Sequence, residues 1–212
     1  MARATAHGIP SPVQVKRLPW MRRIQFVSPK QARMITLLSY QSLDAWALIE
    51  SSALITHFCE HPGYVRVDGR RVLADFYLQG PGRREFVLLD EGIRLEPEEP
   101  SKVPTYDNVA ISRVAPDWFD PYRQWIDNWL QINSYLVANA RYVAPAALDR
   151  ARGVMVEART LSEAENALRE MDRQLVRTAI FMLLHRGELV SDDLMLRPLS
   201  GSTLFHPNTT RS

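Results

Sequence analysis

Cysteine and long apolar runs are both scarce in this chain of 212 residues. A single cysteine, Cys59, excludes an internal disulfide and is typical of a reducing compartment. No apolar run approaches the roughly 20 residues that a membrane helix needs. The N-terminus also lacks the apolar segment of a secretory signal. We therefore expect a cytoplasmic protein with no membrane partner.

Acidic residues are absent from the first 43 positions, since the first acid is Asp44. The same stretch carries seven basic residues, which are Arg3, Lys16, Arg17, Arg22, Arg23, Lys30 and Arg33. Several prolines and the lack of a hydrophobic period predict an extended basic arm over residues 1–33. Such an arm favours contact with the phosphate backbone of DNA, which would make the protein nucleoid-associated. A solubilising tail without a partner has the same composition.

Lysine is limited to Lys16, Lys30 and Lys102, so almost all basic residues are arginines. The hydrophobic fraction of 46% and the charged fraction of 24% are ordinary for a globular protein. The length allows one large domain or two small ones, each with its own core.

The stretch Val72–Glu91 is predicted to form a β-hairpin. Gly80, Pro81 and Gly82 supply the turn, and the apolar run from Phe86 to Leu89 is typical of a strand buried on both faces. Asp75 interrupts the first strand. A lone carboxylate in an apolar strand is costly unless it is paired, bound to a metal or placed at a rim.

Further helices, strands and turns are predicted on both sides of this hairpin, and together they indicate a domain over residues 34–116. They are an amphipathic helix from Ser39 to Glu50, strands at Ile55–Glu60, Tyr64–Val67 and Val109–Val114, a turn at Asp68-Gly69, and an exposed acidic, proline-rich loop over Glu91–Asn108.

The last third of the chain is predicted to hold three helices followed by a β wing, which is the layout of a winged helix over residues 145–206. A capping box at Thr160–Glu163 and a cap at Asp172 open its second and third helices. Residues 117–144 form a helical junction, with Trp125 and Trp129 on one face, and residues 207–212 form a tail. The third helix would place Arg173 and Arg177 against DNA, or the module would dock on a protein instead.

The order of helix, strand, hairpin and winged helix resembles the TnsA-like transposon endonuclease family. The segments that carry the resemblance are Ser39–Asp44 with Leu48–Glu50, Ile55–Pro62, Ala74–Phe76, His185–Leu189, Asp193-Leu194, and Pro198-Leu199 with Thr203. The resemblance implies a restriction-endonuclease-like α/β (α+β) mixed-sheet core with a C-terminal winged-helix domain. It also implies action at transposon ends, with a DDE-type transposase and an AAA+ ATPase as partners.

Family members hold Mg²⁺ with a helical Glu, a strand Asp and a Glu or Gln two residues before a Lys. By this resemblance the four positions fall on Ser42, Asp75, Leu88 and Asp90. Only Asp75 keeps the family's residue, because leucine cannot ligate Mg²⁺ and Asp90 replaces a cation with an anion. The sequence therefore predicts a DNA-binding, architectural subunit with an impaired nuclease site.

Other readings of the sequence stay open. Glu85 or Asp90, acting with Asp75, could supply displaced ligands to an active, Mg²⁺-dependent endonuclease. The chain could instead be a protein-only adaptor that binds the transposase or the ATPase. A third possibility is a zinc site, because His57, Cys59 and His61 alternate along one strand.

Overall fold

The computed structural model describes residues 8–16, 22–90 and 95–209. It divides the chain into two units. The first unit takes the described residues up to Ile49 together with Leu54–Phe119, and the second takes Glu50–Ala53 and the residues from Asp120 onward. The fold class is mixed α/β, with strands and helices in both units.

The first unit contains nine strands and one long helix within its described residues. They are β1 (Ile24–Ser28), β2 (Arg33–Leu37), α1 (Tyr40–Ser51), β3 (His57–Glu60), β4 (Tyr64–Val67), β5 (Arg70–Leu73), β6 (Phe76–Gly80), β7 (Arg83–Leu89), β8 (Thr105–Tyr106) and β9 (Ile111–Val114). A 3₁₀ segment, Pro116–Tyr122, follows β9. The last residues of α1 belong to the second unit.

Three sheets organise the first unit. The order β3-β6-β7-β9 is antiparallel for two steps and parallel between β7 and β9. A second mixed sheet has the order β5-β4-β8, and β1 and β2 form a separate hairpin. Apolar side chains of the first two sheets meet in one buried cluster, whose fully buried members are Cys59, Val65, Ala74, Tyr77, Phe86 and Leu88.

The predicted central hairpin is confirmed for β6 and β7, which pair from Phe76↔Val87 to Gly80↔Arg83. Gly80 is needed there, because a Cβ atom on this residue would lie 2.3 Å from the carbonyl oxygen of Leu54. The predicted first strand is too long, however. Val72 lies in β5, which pairs with β4 rather than with β7.

The predicted extended arm over residues 1–33 is wrong for its last part. Residues 24–37 form the antiparallel hairpin β1–β2, so a boundary at residue 33/34 would cut through β2. The guanidinium of Arg33 donates to both carboxylate oxygens of Glu60 on β3, at 2.6 and 2.5 Å. The Glu60 side chain is 5% exposed. This buried pair ties the hairpin to the main sheet.

The second unit contains five helices and three short strands within its described residues. They are α2 (Arg123–Asn139), α3 (Pro145–Val154), β10 (Arg159–Thr160), α4 (Leu161–Ala167), α5 (Arg173–His185), β11 (Leu189–Val190), α6 (Asp193–Leu196) and β12 (Leu204–Pro207). The strands form a sheet of order β10-β12-β11, antiparallel throughout. Between β11 and β12, residues 193–196 form the helical turn α6. Across the described ranges, no helix has the length and apolar character to cross a membrane.

Both predicted helix caps in the second unit are confirmed. Thr160 and Glu163 exchange hydrogen bonds with each other's backbone N–H at the start of α4. Asp172 accepts from the N–H groups of Gln174 and Leu175 at the start of α5. These side chains satisfy N–H groups that the first helical turn leaves without a partner.

Helix α5 forms the centre of the second unit. Seven of its residues are buried, among them Val176, Ile180 and Phe181, and α2, α3 and α4 pack around it. Trp129 of α2 lies in this same core and is 1% exposed. The predicted junction over residues 117–144 is therefore not a separate element, because residues 120–144 belong to the second unit.

Loss of the Arg33 guanidinium should destabilise the protein, because Glu60 would remain buried without its counter-charge. We expect Arg33→Met to lower the free energy of unfolding by about 3 kcal/mol, at the lower end for a broken buried pair because Arg33 is partly exposed. Urea unfolding followed by circular dichroism measures this loss.

The matched control is Arg113→Met. Its guanidinium is 3.9 Å from the exposed carboxylate of Asp68, and exposed pairs of this kind contribute little. Equal urea midpoints for the two variants would show that the Arg33–Glu60 pair does not support the fold.

Candidate functional site

Asp75 lies at the bend between β5 and β6, rather than inside a strand. Its Oδ2 accepts a hydrogen bond of 2.7 Å from the backbone N–H of Leu89, and its own N–H donates to the carbonyl of Val87. Its carbonyl accepts from the N–H of His61. The carboxylate is half-buried at the end of β7. This geometry places Asp75 at a strand end, where a carboxylate can accept backbone hydrogen bonds.

Ser42 is the third residue of α1 and bonds back to Ser39, which caps the helix. Its Oγ accepts from the backbone N–H of Ser39 at 3.0 Å and donates to the Ser39 carbonyl at 2.8 Å. The N–H of Ser42 donates in turn to Ser39 Oγ. These reciprocal bonds follow the geometry of a capping box, in which the third helical residue usually is Glu or Gln. The hydroxyl at the family's metal-binding Glu position is therefore committed to the start of α1.

The other two family positions do not offer metal chemistry. The Leu88 side chain belongs to the buried apolar cluster between the sheets. Asp90 follows β7, is exposed, and its backbone N–H donates to the carbonyl of Val114. Near the end of β7, where Asp75 lies, the two remaining family positions are thus an apolar residue, Leu88, and an exposed acid, Asp90.

Glu85 is not brought to Asp75. The strand register pairs Glu85 with Leu78, three residues or about 10 Å along β6 from Asp75. Its Oε2 accepts hydrogen bonds of 2.8 Å from Arg83 and from the Ser112 hydroxyl on β9. Glu85 therefore lies away from Asp75 in this structure, and its role as a displaced ligand stays a prediction.

The residues at the Asp75 corner do not fit a Mg²⁺ site, which needs several oxygen ligands that converge on one point. Within residues 8–16, 22–90 and 95–209, no group of three or more His, Cys, Asp and Glu side chains is placed to hold a metal ion. One polar residue at this end of the sheet was not predicted from the sequence. It is Gln41, whose side-chain amide donates to the Val114 carbonyl at 3.3 Å.

The zinc hypothesis for His57, Cys59 and His61 fails for the same geometric reason. His57 is exposed, whereas Cys59 is buried and its thiol donates to the Glu60 carbonyl. Burial raises the pKa of the Cys59 thiol to about 12, and the negative charge of Glu60 adds to this effect. His61 lies beyond β3 in a left-handed backbone conformation, with φ at 45°.

The basic residues of the N-terminal segment are used in different ways. Lys16 pairs with Glu96 at 3.6 Å, Lys30 donates to the carbonyl of Ile49, and Arg33 is held by Glu60. Arg22 stacks over the Tyr40 ring and donates to its hydroxyl, and Arg23 is exposed. Arg3 and Arg17 lie outside the described residues. Arg22 and Arg23 are thus the described members of this group that keep exposed guanidinium groups.

Arg173 and Arg177 are held by Glu165 of α4. The Nε of Arg173 lies 2.6 Å from Oε2 of Glu165, and the Nε of Arg177 lies 2.8 Å from Oε1. Arg177 also donates to the Tyr135 hydroxyl at 3.0 Å. The Arg173 side chain remains 71% exposed, compared with 24% for Arg177. Only Arg173 therefore presents a largely open guanidinium.

Two Arg-Arg pairs at hairpin turns escaped the sequence reasoning. Arg70-Arg71 follows the Asp68-Gly69 turn, and Arg83-Arg84 follows the Pro81-Gly82 turn; all four arginines are exposed. Positive φ at both Asp68 and Gly69 is typical of a type I′ turn. The signal that could have revealed these pairs is the repeated order of a turn dipeptide followed by two arginines.

No protein-family model matches this chain, and no curated protein matches it significantly.

The stability of the protein should fall in mild acid because of His61. Burial lowers the pKa of this imidazole to about 4, and the charge of Glu60 offsets part of the effect. Between pH 6.5 and pH 4, His61 is therefore protonated in the unfolded chain but stays neutral in the folded chain. We expect the free energy of unfolding to drop by roughly 3 kcal/mol over this window because of this residue.

The measurement is urea unfolding at pH 7 and at pH 4.5. His61→Asn removes the titrating group and tolerates a left-handed backbone, so its stability should change less with pH than that of the wild type. His57→Asn is the control, since His57 is exposed. An unchanged pH dependence in His61→Asn would contradict the assignment.

Proposed function

We propose that this chain is a TnsA-like, DNA-binding subunit of a transposition complex that acts at transposon ends and has an impaired nuclease site. Two strand orders carry the proposal. In the first unit, α1 precedes β3, the hairpin β6–β7 pairs beside β3, and β9 joins in parallel. This matches the order of helix, strand and hairpin on which the resemblance to a restriction-endonuclease-like core depends.

The second unit supports the other half of the proposal. Helices α3, α4 and α5 precede β11 and β12, and β12 lies between β10 and β11. Three helices with a returning β wing have the layout of a winged helix. In the TnsA-like family such a module follows the nuclease-like domain.

The impaired site follows from the residues at the family positions. Asp75 is the single carboxylate that keeps its family identity, Ser42 bonds to the N-cap Ser39 of α1, and Leu88 packs in the core. A site of this kind needs at least two ligands and a group that activates water. The role that remains is binding and architecture, with a DDE-type transposase and an AAA+ ATPase as the proposed partners.

The charge distribution favours the first unit as the DNA-binding part. By sequence, the first unit carries 15 arginines and lysines against 12 acids, and the second carries 11 against 12. Exposed arginines lie before β1, at Arg22 and Arg23, and at the two hairpin turns. Phosphate contacts of this kind supply affinity without sequence specificity.

A protein-only adaptor that binds the transposase or the ATPase is the second candidate. The observation that favours it is the burial of α5, whose middle and end are packed against the other helices of the second unit. A recognition helix must present side chains to the major groove. The second unit is therefore better suited to docking on a protein than to reading DNA.

DNA affinity should depend on Arg22 and Arg23. Deleting the whole segment is a poor test, because β1 and β2 would be disrupted. We instead expect the double variant Arg22→Gln, Arg23→Gln to weaken binding to a random duplex. The slope of log K against log salt concentration should become shallower by roughly 1 to 2, since each lost phosphate contact releases about one counterion less.

Fluorescence anisotropy at several salt concentrations measures this slope. Arg150→Gln is the control, because the Arg150 guanidinium is paired with Glu170 in the second unit. A slope that stays the same in the double variant would exclude these two arginines as DNA contacts. A wild type that does not bind duplex DNA at all would favour the adaptor.

Purified protein should not cleave DNA with Mg²⁺ or Mn²⁺, alone or with its transposase. The physical reason is that one carboxylate with water ligands holds the metal too loosely to organise an in-line attack. The measurement is nicking of a supercoiled plasmid by the wild type and by Asp75→Ala. Cleavage by the wild type that Asp75→Ala abolishes would show an active endonuclease with displaced ligands, for which Asp90 would be the next residue to test.

A further inference from the structure

A cleft of about 240 Å³ opens at the first turn of α5 and is lined by Tyr135, Arg173, Gln174 and Arg177. Residues 173, 174 and 177 come from one face of α5, and Tyr135 comes from α2. The Tyr135 ring packs edge-on against Phe181, at 5.5 Å between ring centroids. The cleft wall is thus anchored in the core of the second unit.

All four lining side chains can donate hydrogen bonds. The two guanidinium groups can only donate, and the amide and the phenol can donate as well as accept. A wall with this donor excess suits an anionic oxygen group. Its size suits a single side chain rather than a large cofactor.

A buried carboxylate orients the arginines. Glu165 is 4% exposed and accepts from the Nε of each guanidinium. Two guanidinium groups share the one carboxylate of Glu165. Because Glu165 holds Arg173 through Nε, the two terminal nitrogens of this exposed guanidinium point away from that bond. They form the fork that binds a carboxylate through two parallel bonds.

The neighbouring charges decide between a single carboxylate and DNA. Asp172 caps α5 directly beside Arg173, and Glu170 lies two residues earlier, paired with Arg150. The second unit as a whole has slightly more acids than bases. A duplex would bring a row of phosphates against these acids, whereas one carboxylate can reach Arg173 alone.

We infer that the cleft of Tyr135, Arg173, Gln174 and Arg177 binds the carboxylate side chain of an acidic segment of a partner protein. This site does not depend on the proposed action at transposon ends, and it holds whether or not the first unit binds DNA. Arg173 supplies the paired hydrogen bonds, Gln174 adds an amide donor, and Arg177 with Tyr135 forms the back wall.

The test uses the full chain labelled with ¹⁵N. The probes are a capped hexapeptide with one glutamate among neutral residues and its twin with a glutamine at that position. We expect the glutamate peptide to shift the Arg173 Nε–H and Gln174 side-chain signals in a saturable way, and the glutamine twin to shift neither. Arg173→Gln should raise the Kd of the glutamate peptide at least about tenfold, as expected for the loss of a charge-assisted pair.

Arg169→Gln is the matched control, since Arg169 is an exposed arginine outside the cleft. Gln174→Glu is a second variant that keeps Glu165 and both arginines and should abolish binding by adding a carboxylate to the wall. It decides the question if Arg173→Gln does not fold.

Three results would overturn the inference. One is an equal response to the two peptides, and another is an unchanged Kd in Arg173→Gln or, where that variant does not fold, in Gln174→Glu. The third is saturation of the same signals by inorganic phosphate or duplex DNA at a lower concentration than the glutamate peptide, which would assign the cleft to phosphate instead.

Discussion

A carboxylate that loses its water must meet a cation, and the first unit depends on Arg33 meeting Glu60 in this way. The two residues are 27 positions apart, so the pair closes a long stretch of chain. It fixes the hairpin β1–β2 against β3. The second unit follows the same rule at Glu165, which is shared by two arginines. These pairs are costly to break because the carboxylate would be left buried without its counter-charge.

This use of arginine changes how the basic composition is understood. Arginine offers a planar fork that matches a carboxylate, whereas lysine offers a single compact charge. A chain with 23 arginines and three lysines is therefore suited to buried, directional pairs as well as to phosphate contacts. Arg33 belongs to the first kind, and Arg23 and Arg70, which are exposed, can serve the second. A count of basic residues cannot separate these two uses, because only the fold decides which acid an arginine meets.

Features set by neighbours in sequence were predictable. The β6–β7 hairpin follows from a glycine–proline turn beside an apolar run, and the caps at Thr160 and Asp172 follow from local hydrogen bonds within three residues. Features set by distant contacts were not. Nothing near Arg33 in the sequence indicates Glu60, and the pairing of β5 with β4 rather than β7 depends on the bend at Asp75.

The candidate site likewise has features that could be predicted from the sequence and features that depend on distant contacts. The loss of the family's ligands at Ser42 and Leu88 could be read from residue types alone, because neither residue replaces a carboxylate. What each residue does instead required the structure: Ser42 bonds to the N-cap Ser39 of α1, and Leu88 packs in the core of the first unit. The cleft beside Arg173 could not be predicted from the sequence, since its lining comes from α2 and α5 and its arginines are held by Glu165 of α4.

The burial of Cys59 makes this protein a convenient starting point for spectroscopy. Its thiol lies in the core with a pKa of about 12, so maleimides and spin labels at neutral pH meet almost no thiolate there. Because it is the sole cysteine of the chain, a new cysteine placed on any exposed turn would be the one position that reacts. Distances between two such probes can then be measured without first removing a native thiol.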